Sequence, residues 1–177
     1  YTRATQSSSV GTYTISVISV SNANYNAILN TGTYTVTKML ITPAVSMSGW
    51  TYGDTASEPS VTGNSGDGDV EYTYYTDDNL TLMTTTADGA SANGEKPSNA
   101  GTYYVKAVIS ATTNFESGEC SNSFTIAKKE ITVSGITAYN REYNGTTSVG
   151  FNYDSAVLDG KLAEDTNVYV TATGNFA

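Results

Sequence analysis

The stretch Asn99-Ala100-Gly101-Thr102-Tyr103-Tyr104-Val105-Lys106-Ala107-Val108-Ile109 decides the fold of this chain. After the glycine, every second side chain is apolar, and this alternation predicts a β-strand with one buried face. The residues predicted to share that face are Tyr103, Val105, Ala107 and Ile109.

The Gly-Thr-Tyr word in this stretch recurs at a distance of 90 positions, as Gly11-Thr12-Tyr13 and Gly101-Thr102-Tyr103. Other words keep the same offset. Tyr34-Thr35-Val36-Thr37-Lys38 matches Phe124-Thr125-Ile126-Ala127-Lys128, and Ile41-Thr42 matches Ile131-Thr132. A fixed period of this kind is the signature of tandem modules. We therefore expect one whole module at residues 39–128, between the end of one module at 1–38 and the beginning of another at 129–177.

The composition favours strands throughout the chain. Charged residues make up only 14%, and Tyr is the dominant aromatic residue, with 14 copies against 4 Phe and 1 Trp. Thr, Tyr, Val and Ile fit a pleated, half-buried surface, and Gly, Asn and Asp supply turns. No segment has convincing helical periodicity. The predicted class is all-β.

The middle module has strand signals at short and regular intervals. Val70, Tyr72 and Tyr74 alternate with Glu71, Thr73 and Tyr75, which predicts Tyr72 and Tyr74 in the core and Tyr75 on the surface. The other strand signals lie near residues 41–47, 50–54, 59–61, 80–83, 103–109 and 124–126. About seven short strands in about 90 residues match an immunoglobulin-like antiparallel β-sandwich. We expect such modules to join end to end as a rod.

The segment before Val105 supports the sandwich. Asn99-Ala100-Gly101-Thr102-Tyr103-Tyr104-Val105 resembles the start of the immunoglobulin strand F, with Val105 where that fold often has a cysteine. In that fold the tyrosine hydroxyl returns to nearby backbone to form a tyrosine corner. Tyr103 is the predicted corner residue, and Tyr13 repeats it in the preceding module.

Longer words resemble two repeat families of bacterial surface proteins. Three segments resemble MBG repeats of mucin-binding-type adhesins. They are Trp50-Thr51-Tyr52-Gly53-Asp54, the segment from Lys96 to Ala107, and Ser123-Phe124-Thr125-Ile126-Ala127-Lys128. Two later segments are similar to the YDG repeats that often accompany MBG repeats. They are Arg141-Glu142-Tyr143-Asn144-Gly145-Thr146-Thr147, with Asn144 where Asp is usual, and Val157-Leu158-Asp159-Gly160. The resemblance implies a secreted, array-forming protein of the bacterial cell wall or surface, and it implies no catalytic residue.

The net charge and the cysteine content limit the classes of partner and the cellular location that we expect for this protein. The net charge of -9 and the pI near 4.2 argue against binding to nucleic acid or to an anionic membrane. No apolar segment approaches the length that spans a bilayer, so we expect no membrane insertion. The single Cys120 cannot form an internal disulfide. These features fit an acidic extracellular protein that is secreted or held on the bacterial surface.

Catalysis is not expected. The chain has no histidine, which removes Ser-His and Cys-His activation and the commonest zinc ligand. Two acidic groups could still work as a carboxylate pair, for example Asp77 with Asp78 or Glu164 with Asp165. Adjacent acids on a strand point to opposite faces, and acids in a turn are usually solvated.

Two candidate ligand sites follow from the middle module. Asn64, Asp67 and Asp69 lie in a glycine-bearing loop, where oxygens can converge on calcium, although the same tract makes a good turn without metal. No other cofactor is indicated. Trp50 and Tyr75 are the candidate residues for stacking on a glycan, although core packing is the favoured interpretation of these aromatic residues.

The functional prediction is a structural and adhesive stalk segment, whose partners are neighbouring repeats of the same protein. The alternative is a module that itself binds host glycan or mucin-like glycoprotein. We also expect that the half-module at 129–177 of one chain is completed by the half-module at 1–38 of another. Such a head-to-tail contact propagates into a filament. The alternative to this completion is that the sequence is part of a longer chain, in which the missing halves are covalently present or disordered.

Overall fold

The computed structural model describes residues 9–16, 21–25, 28, 30–85 and 94–174. Within these residues all regular elements are β-strands and none is a helix, so the predicted all-β class is confirmed. The strands are β1 (Gly11–Ile15), β2 (Gly32–Val36), β3 (Ala44–Ser46), β4 (Trp50–Thr51), β5 (Ser60–Thr62), β6 (Val70–Tyr75), β7 (Gly101–Ile109), β8 (Gly118–Ala127), β9 (Thr132–Ser134), β10 (Thr137–Ala138), β11 (Phe151–Asn152) and β12 (Val157–Asp159).

The chain divides into two compact units. The first contains residues 1–49, 57–97 and 102–125, and the second contains residues 50–56, 98–101 and 126–177. The division into modules at 1–38, 39–128 and 129–177 rests on the sequence period and stays a prediction. The described part of the chain contains no helix long and apolar enough to cross a bilayer.

Strand pairing is almost entirely antiparallel. β1 pairs with β2, β3 with β5, β9 with β12 and β10 with β11, each as a two-stranded sheet. A four-stranded sheet has the order β4-β8-β7-β6, in which β6 is antiparallel to β7 and β4 is parallel to β8. These short, mostly antiparallel strands are consistent with a β-sandwich.

The core of the first unit lies where the alternation predicts it. Val105, Ala107 and Ile109 are each 0% exposed, whereas Val108 between them is 39% exposed. The ring of Phe124 packs edge-on against Tyr74, with centroids 6.1 Å apart. Among the described residues of this unit, the other buried apolar side chains are Val45 and Met47. The prediction of the buried face of β7 is therefore confirmed for Val105, Ala107 and Ile109, whereas Tyr103, predicted on the same face, is half-buried.

Strand β6 matches its predicted bounds of 70–75, and Tyr74 on it is buried. Tyr72 and Tyr75 are both half-buried, so alternation separates the two faces less sharply here than expected. The strand signal at residues 80–83 is wrong, because only Met83 forms a β-bridge, to Tyr75. Leu80 instead adopts a left-handed backbone conformation, with φ of 56°, and this turns the chain.

Two strand pairs close in the same way. Gly63 directly follows β5, where φ is +74° and a Cβ would lie 2.3 Å from the carbonyl oxygen of Thr42. Gly160 directly follows β12, where φ is +87° and a Cβ would lie 2.9 Å from the carbonyl oxygen of Glu130. Both oxygens belong to residues two positions before the paired strand, β3 or β9. Glycine is required at both closures by the backbone angle and by the close approach.

The Gly-Thr-Tyr words that are 90 positions apart also have equivalent positions, because β1 begins at Gly11 and β7 begins at Gly101. A third copy of the word, Gly32-Thr33-Tyr34, begins β2. In the first word the hydroxyl of Tyr13 donates a 2.8 Å hydrogen bond to the carbonyl oxygen of Ser9. This bond is the return to upstream backbone that the sequence predicts for Tyr13. The ring of Tyr13 also stacks on Tyr34 across the β1–β2 pair, with centroids 5.2 Å apart.

Candidate functional site

The loop that carries the predicted calcium ligands is closed by protein hydrogen bonds. The Asn64 amide donates to the carbonyl oxygen of Gly68 at 2.8 Å, and its oxygen accepts from the Gly68 N–H at 3.1 Å. Asp67 and Asp69 are exposed, and Asp67 adopts φ of 50°. The Asn64 side chain thus closes the loop, and a backbone hydrogen bond from the Asp67 N–H to the Asn64 carbonyl oxygen, at 3.3 Å, adds to it.

The glycines of this loop are explained by packing. A Cβ at Gly68 would lie 2.1 Å from the carbonyl oxygen of Ser110, and one at Gly66 would lie 2.6 Å from the ring of Phe115. Among the described residues no group of three or more His, Cys, Asp or Glu side chains could hold a metal ion. Calcium binding by Asn64, Asp67 and Asp69 stays a prediction, and the loop geometry does not depend on it.

The predicted glycan-stacking residues lie on different strands. Trp50 is in β4 and Tyr75 is the last residue of β6, and both side chains are half-buried. They belong to different units of the chain. A glycan patch formed by these two residues stays a prediction.

Asp77 has a structural role in the turn after β6. Its carboxylate accepts hydrogen bonds from the Leu82 N–H at 2.7 Å, and from the N–H and hydroxyl of Thr81 at 3.0 and 2.7 Å. These bonds lower the pKa of Asp77 because they stabilise the charged carboxylate, and the bond from Leu82 has the largest effect. Asp78 beside it is exposed. This carboxylate is used to build a turn.

Asp165 is likewise engaged, within the second unit. Its carboxylate accepts a 2.7 Å hydrogen bond from the hydroxyl of Tyr52. That bond, followed by burial and the negative charges of Asp165 and Glu164, raises the pKa of Tyr52. Lys161 Nζ donates to the Asp165 carbonyl oxygen at 2.8 Å. The pairs considered for carboxylate catalysis therefore each contribute a structural hydrogen bond acceptor.

A shallow cavity of about 360 Å³ adjoins this hydrogen bond. It is lined by Tyr52, Asn99, Ala100, Lys128, Lys129, Asp165 and Val168. Lys129 forms an ion pair with Asp54 at 3.7 Å, which places one of the two lysines beside a carboxylate. The sequence did not identify this cavity, because residues 52, 99 and 165 are far apart along the chain.

The loop at 141–147 forms a second cavity, of about 450 Å³. Its lining residues are Arg141, Glu142, Tyr143, Thr146 and Thr147. The Arg141 guanidinium donates to the carbonyl oxygen of Thr146 at 2.6 Å and to the side-chain oxygen of Asn144. The Tyr143 ring beside them is 95% exposed.

Asn144 holds this loop in shape. Its side-chain oxygen accepts from the Thr146 N–H at 3.2 Å and from the Thr146 hydroxyl at 2.9 Å, and Gly145 follows it with φ of +73°. The loop therefore presents an aromatic ring, hydroxyls and a guanidinium on an ordered backbone. The sequence singled out this segment for its resemblance to YDG repeats and not as a ligand site. An aromatic residue before Asn-Gly was the signal that could have indicated one.

Comparisons with protein-family models, with curated proteins and with solved structures find no match for this chain.

Proposed function

We propose that this chain is a structural and adhesive stalk segment of a secreted bacterial cell-surface protein. The observation that carries the proposal is the recurrence of the same local structures along the chain. β1 and β7 begin at equivalent glycines, and the β3–β5 and β9–β12 pairs close on equivalent glycines, Gly63 and Gly160. Recurring supersecondary units are how arrays are built, and arrays extend by adding units.

The acidic side chains are in keeping with this role. Asp77 and Asp165 are held by structural hydrogen bonds, and Glu58 and Glu119 form ion pairs with Lys96 and Lys106. Such groups stabilise turns and sheet surfaces.

The proposed stalk function is tested by measuring the dimensions of a tandem fusion protein. Two copies of the full chain joined in tandem are compared with one copy by small-angle X-ray scattering. A compact globule grows by only about 1.3-fold in radius of gyration when its chain doubles. A stalk segment is expected to come close to doubling its largest dimension. Growth near the globular value would refute the stalk.

The proposal includes head-to-tail association of copies. Val133 in β9 is 45% exposed, whereas Val45, which has the matching place in β3, is 5% exposed. Residues 129–177 carry more acids than bases: Glu130, Glu142, Asp154, Asp159, Glu164 and Asp165 against Lys129, Arg141 and Lys161. Residues 1–38 carry Arg3 and Lys38 and no acid. An apolar face within an acidic segment fits a basic segment of a second copy.

Glycan or mucin binding is the second candidate function, favoured by the loop at 141–147. An exposed ring beside hydroxyls and a guanidinium offers both stacking and hydrogen bonding to a sugar. A glycan array and a mucin-coated surface test it with the full chain. Loss of binding in Tyr143→Ala, with binding kept in Tyr169→Ala, would place the site in this loop. Loss in Trp50→Ala or Tyr75→Ala would place it on the predicted patch instead.

A further inference from the structure

We propose that residues 39–51 and 115–127 form a clamp that resists tension along the chain. The two segments run parallel and keep one register, in which each residue lies beside the residue 76 positions later. The inference rests on the proposed stalk function for its biological use, because a stalk transmits force. The clamp itself rests on contacts at both ends of the segments and between them.

The first end of the clamp is at Met39. Met39 forms a parallel β-bridge with Phe115, 76 positions later. Its N–H donates to the carbonyl oxygen of Asn114 at 2.9 Å, and its own carbonyl oxygen accepts from the Glu116 N–H at 2.9 Å. Bonding to the two neighbours of the partner residue is the pattern of a parallel ladder.

The second end is at β4 and the end of β8. Trp50 pairs with Ile126 and Thr51 pairs with Ala127, again 76 positions apart and again parallel. The Tyr52 N–H extends the ladder by donating to the Ala127 carbonyl oxygen at 2.8 Å. Ile126 is buried, so this end is shielded from water.

Side chains hold the register near Val45. The Asn122 side-chain amide donates to the Val45 carbonyl oxygen at 3.1 Å. The Val45 backbone also forms a hydrogen bond to the thiol of Cys120. Residues 120 and 122 flank position 121, which lies 76 positions after Val45. Side chains therefore supply hydrogen bonds in a region where β3 and β8 are not paired by backbone.

Close packing marks two further points of the same register. A Cβ at Gly118 would lie 2.9 Å from Ile41 Cγ1 and 3.1 Å from Pro43 Cγ, and these residues flank position 42. A Cβ at Gly49 would lie 2.3 Å from the carbonyl oxygen of Thr125. Pro43 has no N–H to give to a ladder, which is one reason that the backbone pairing is interrupted between the two ends.

Parallel direction decides how this arrangement responds to force. Tension pulls residues 39–51 toward their N-terminal end and residues 115–127 toward their C-terminal end. Because the two segments are parallel, tension pulls them past each other in opposite directions along their common axis. The hydrogen bonds at both ends are therefore sheared together. An antiparallel pair that is pulled apart from one end loses its bonds one at a time. The clamp should therefore unfold only at a higher force.

The test measures force along two axes of the full chain. A Cys120→Ser background carries handles at Thr37→Cys and Lys128→Cys, which shear the clamp. A second preparation carries them at Asp69→Cys and Ser110→Cys, which unzip β6 from β7 where the Ser110 N–H donates to the Asp69 carbonyl oxygen at 2.9 Å. Because forced unfolding follows the unfolding rate, we expect a mean force roughly twofold or more higher on the shear axis at one pulling speed. Equal or lower force on the shear axis would overturn the clamp.

A variant tests the register. Gly49→Ala should lower the force on the shear axis and leave that on the unzipping axis unchanged, because its Cβ would collide with the Thr125 carbonyl oxygen. Gly32→Ala is the matched control, since its Cβ would have only Ile15 Cβ within reach, at 4.0 Å. An unchanged shear force in folded Gly49→Ala would contradict the register.

Two further measurements keep the test decisive. If circular dichroism finds that Gly49→Ala does not fold, Gly118→Ala replaces it with a milder collision against Ile41. Failure of the clamp is distinguishable from failure of the stalk. A weak shear axis with a fusion that doubles in length removes the clamp alone, and a strong shear axis with a compact fusion removes the stalk alone.

Discussion

The hydroxyl of Tyr13 donates a 2.8 Å hydrogen bond to the carbonyl oxygen of Ser9, four residues upstream. This bond fixes the backbone just before β1 to the strand that follows it. The Tyr13 ring is held at the same time by Tyr34 of the paired strand, so the hydroxyl has little freedom to leave.

Removal of this hydroxyl should weaken the N-terminal strand pair. Tyr13→Phe keeps the ring and deletes the donor, and we expect a loss of about 1 kcal/mol in the free energy of unfolding. Urea unfolding followed by circular dichroism measures it. Tyr25→Phe, on a side chain that is 74% exposed, serves as the control and should be neutral. Equal stability of Tyr13→Phe and the wild type would show that the corner contributes nothing.

The buried face of β7 should dominate the stability of the first unit. Ile109→Ala removes a fully buried side chain and should cost about 2–5 kcal/mol, through lost burial and the cavity left behind. Val108→Ala on the same strand is the matched control, because its side chain points to the other face and is partly exposed. Comparable costs for the two variants in urea unfolding would contradict the assignment of the faces.

Tyr52 should make stability fall at alkaline pH. Its pKa is raised above the ordinary 10.0, because the hydrogen bond to Asp165 requires the neutral phenol. The stabilisation is therefore complete below pH 10.0 and is lost as the pH rises through the raised value. Tyr52→Phe should be less stable than the wild type at neutral pH, with a difference that shrinks at alkaline pH. Urea unfolding across this range checks it, with Tyr169→Phe as control, and a pH-independent difference would argue against the coupling.

The loop at 64–69 should depend on Asn64 whether or not calcium is present. Asn64→Ala removes two hydrogen bonds to Gly68, and we expect a loss of about 1 kcal/mol both in EDTA and in calcium. Thermal melting in the two buffers measures this. A melting temperature that rises with calcium, and no longer rises in Asp69→Asn, would instead establish the predicted cation site.

Association between copies should be apolar at its centre and sensitive to salt. Light scattering at increasing concentration of the full chain should give a mass above that of a monomer. Val133→Glu should reduce that mass, because it places a charge on the exposed apolar face. Added salt should also reduce it, since the basic residues 1–38 and the acidic residues 129–177 attract each other less when screened. A monomer at all concentrations would rule the association out.

The sequence by itself determined the class, the main strands and the recurrence of local structure. Alternation placed β6 and the buried face of β7 correctly, because the two-residue period of a strand is visible in neighbouring residues. The word Gly-Thr-Tyr stands at the starts of β1 and β7, where its recurrence 90 positions apart singled it out. The strand expected near residues 80–83 failed because Asp77 bonds to Thr81 and Leu82 and makes a turn of an apolar run.

Only the tertiary structure decided which distant groups meet. Thr84 is a polar residue in a polar stretch, yet its side chain is buried. Its hydroxyl forms hydrogen bonds to the carbonyl oxygens of Tyr74 and Glu95, at 3.2 and 2.5 Å, and these bonds offset the loss of water. The parallel register of residues 39–51 with 115–127 has no local signal, since it depends on packing between segments 76 positions apart. Local patterns fix which side of a strand is apolar. Partners, registers and cavities are fixed by the free energy of the whole packed structure, which no short stretch of sequence contains.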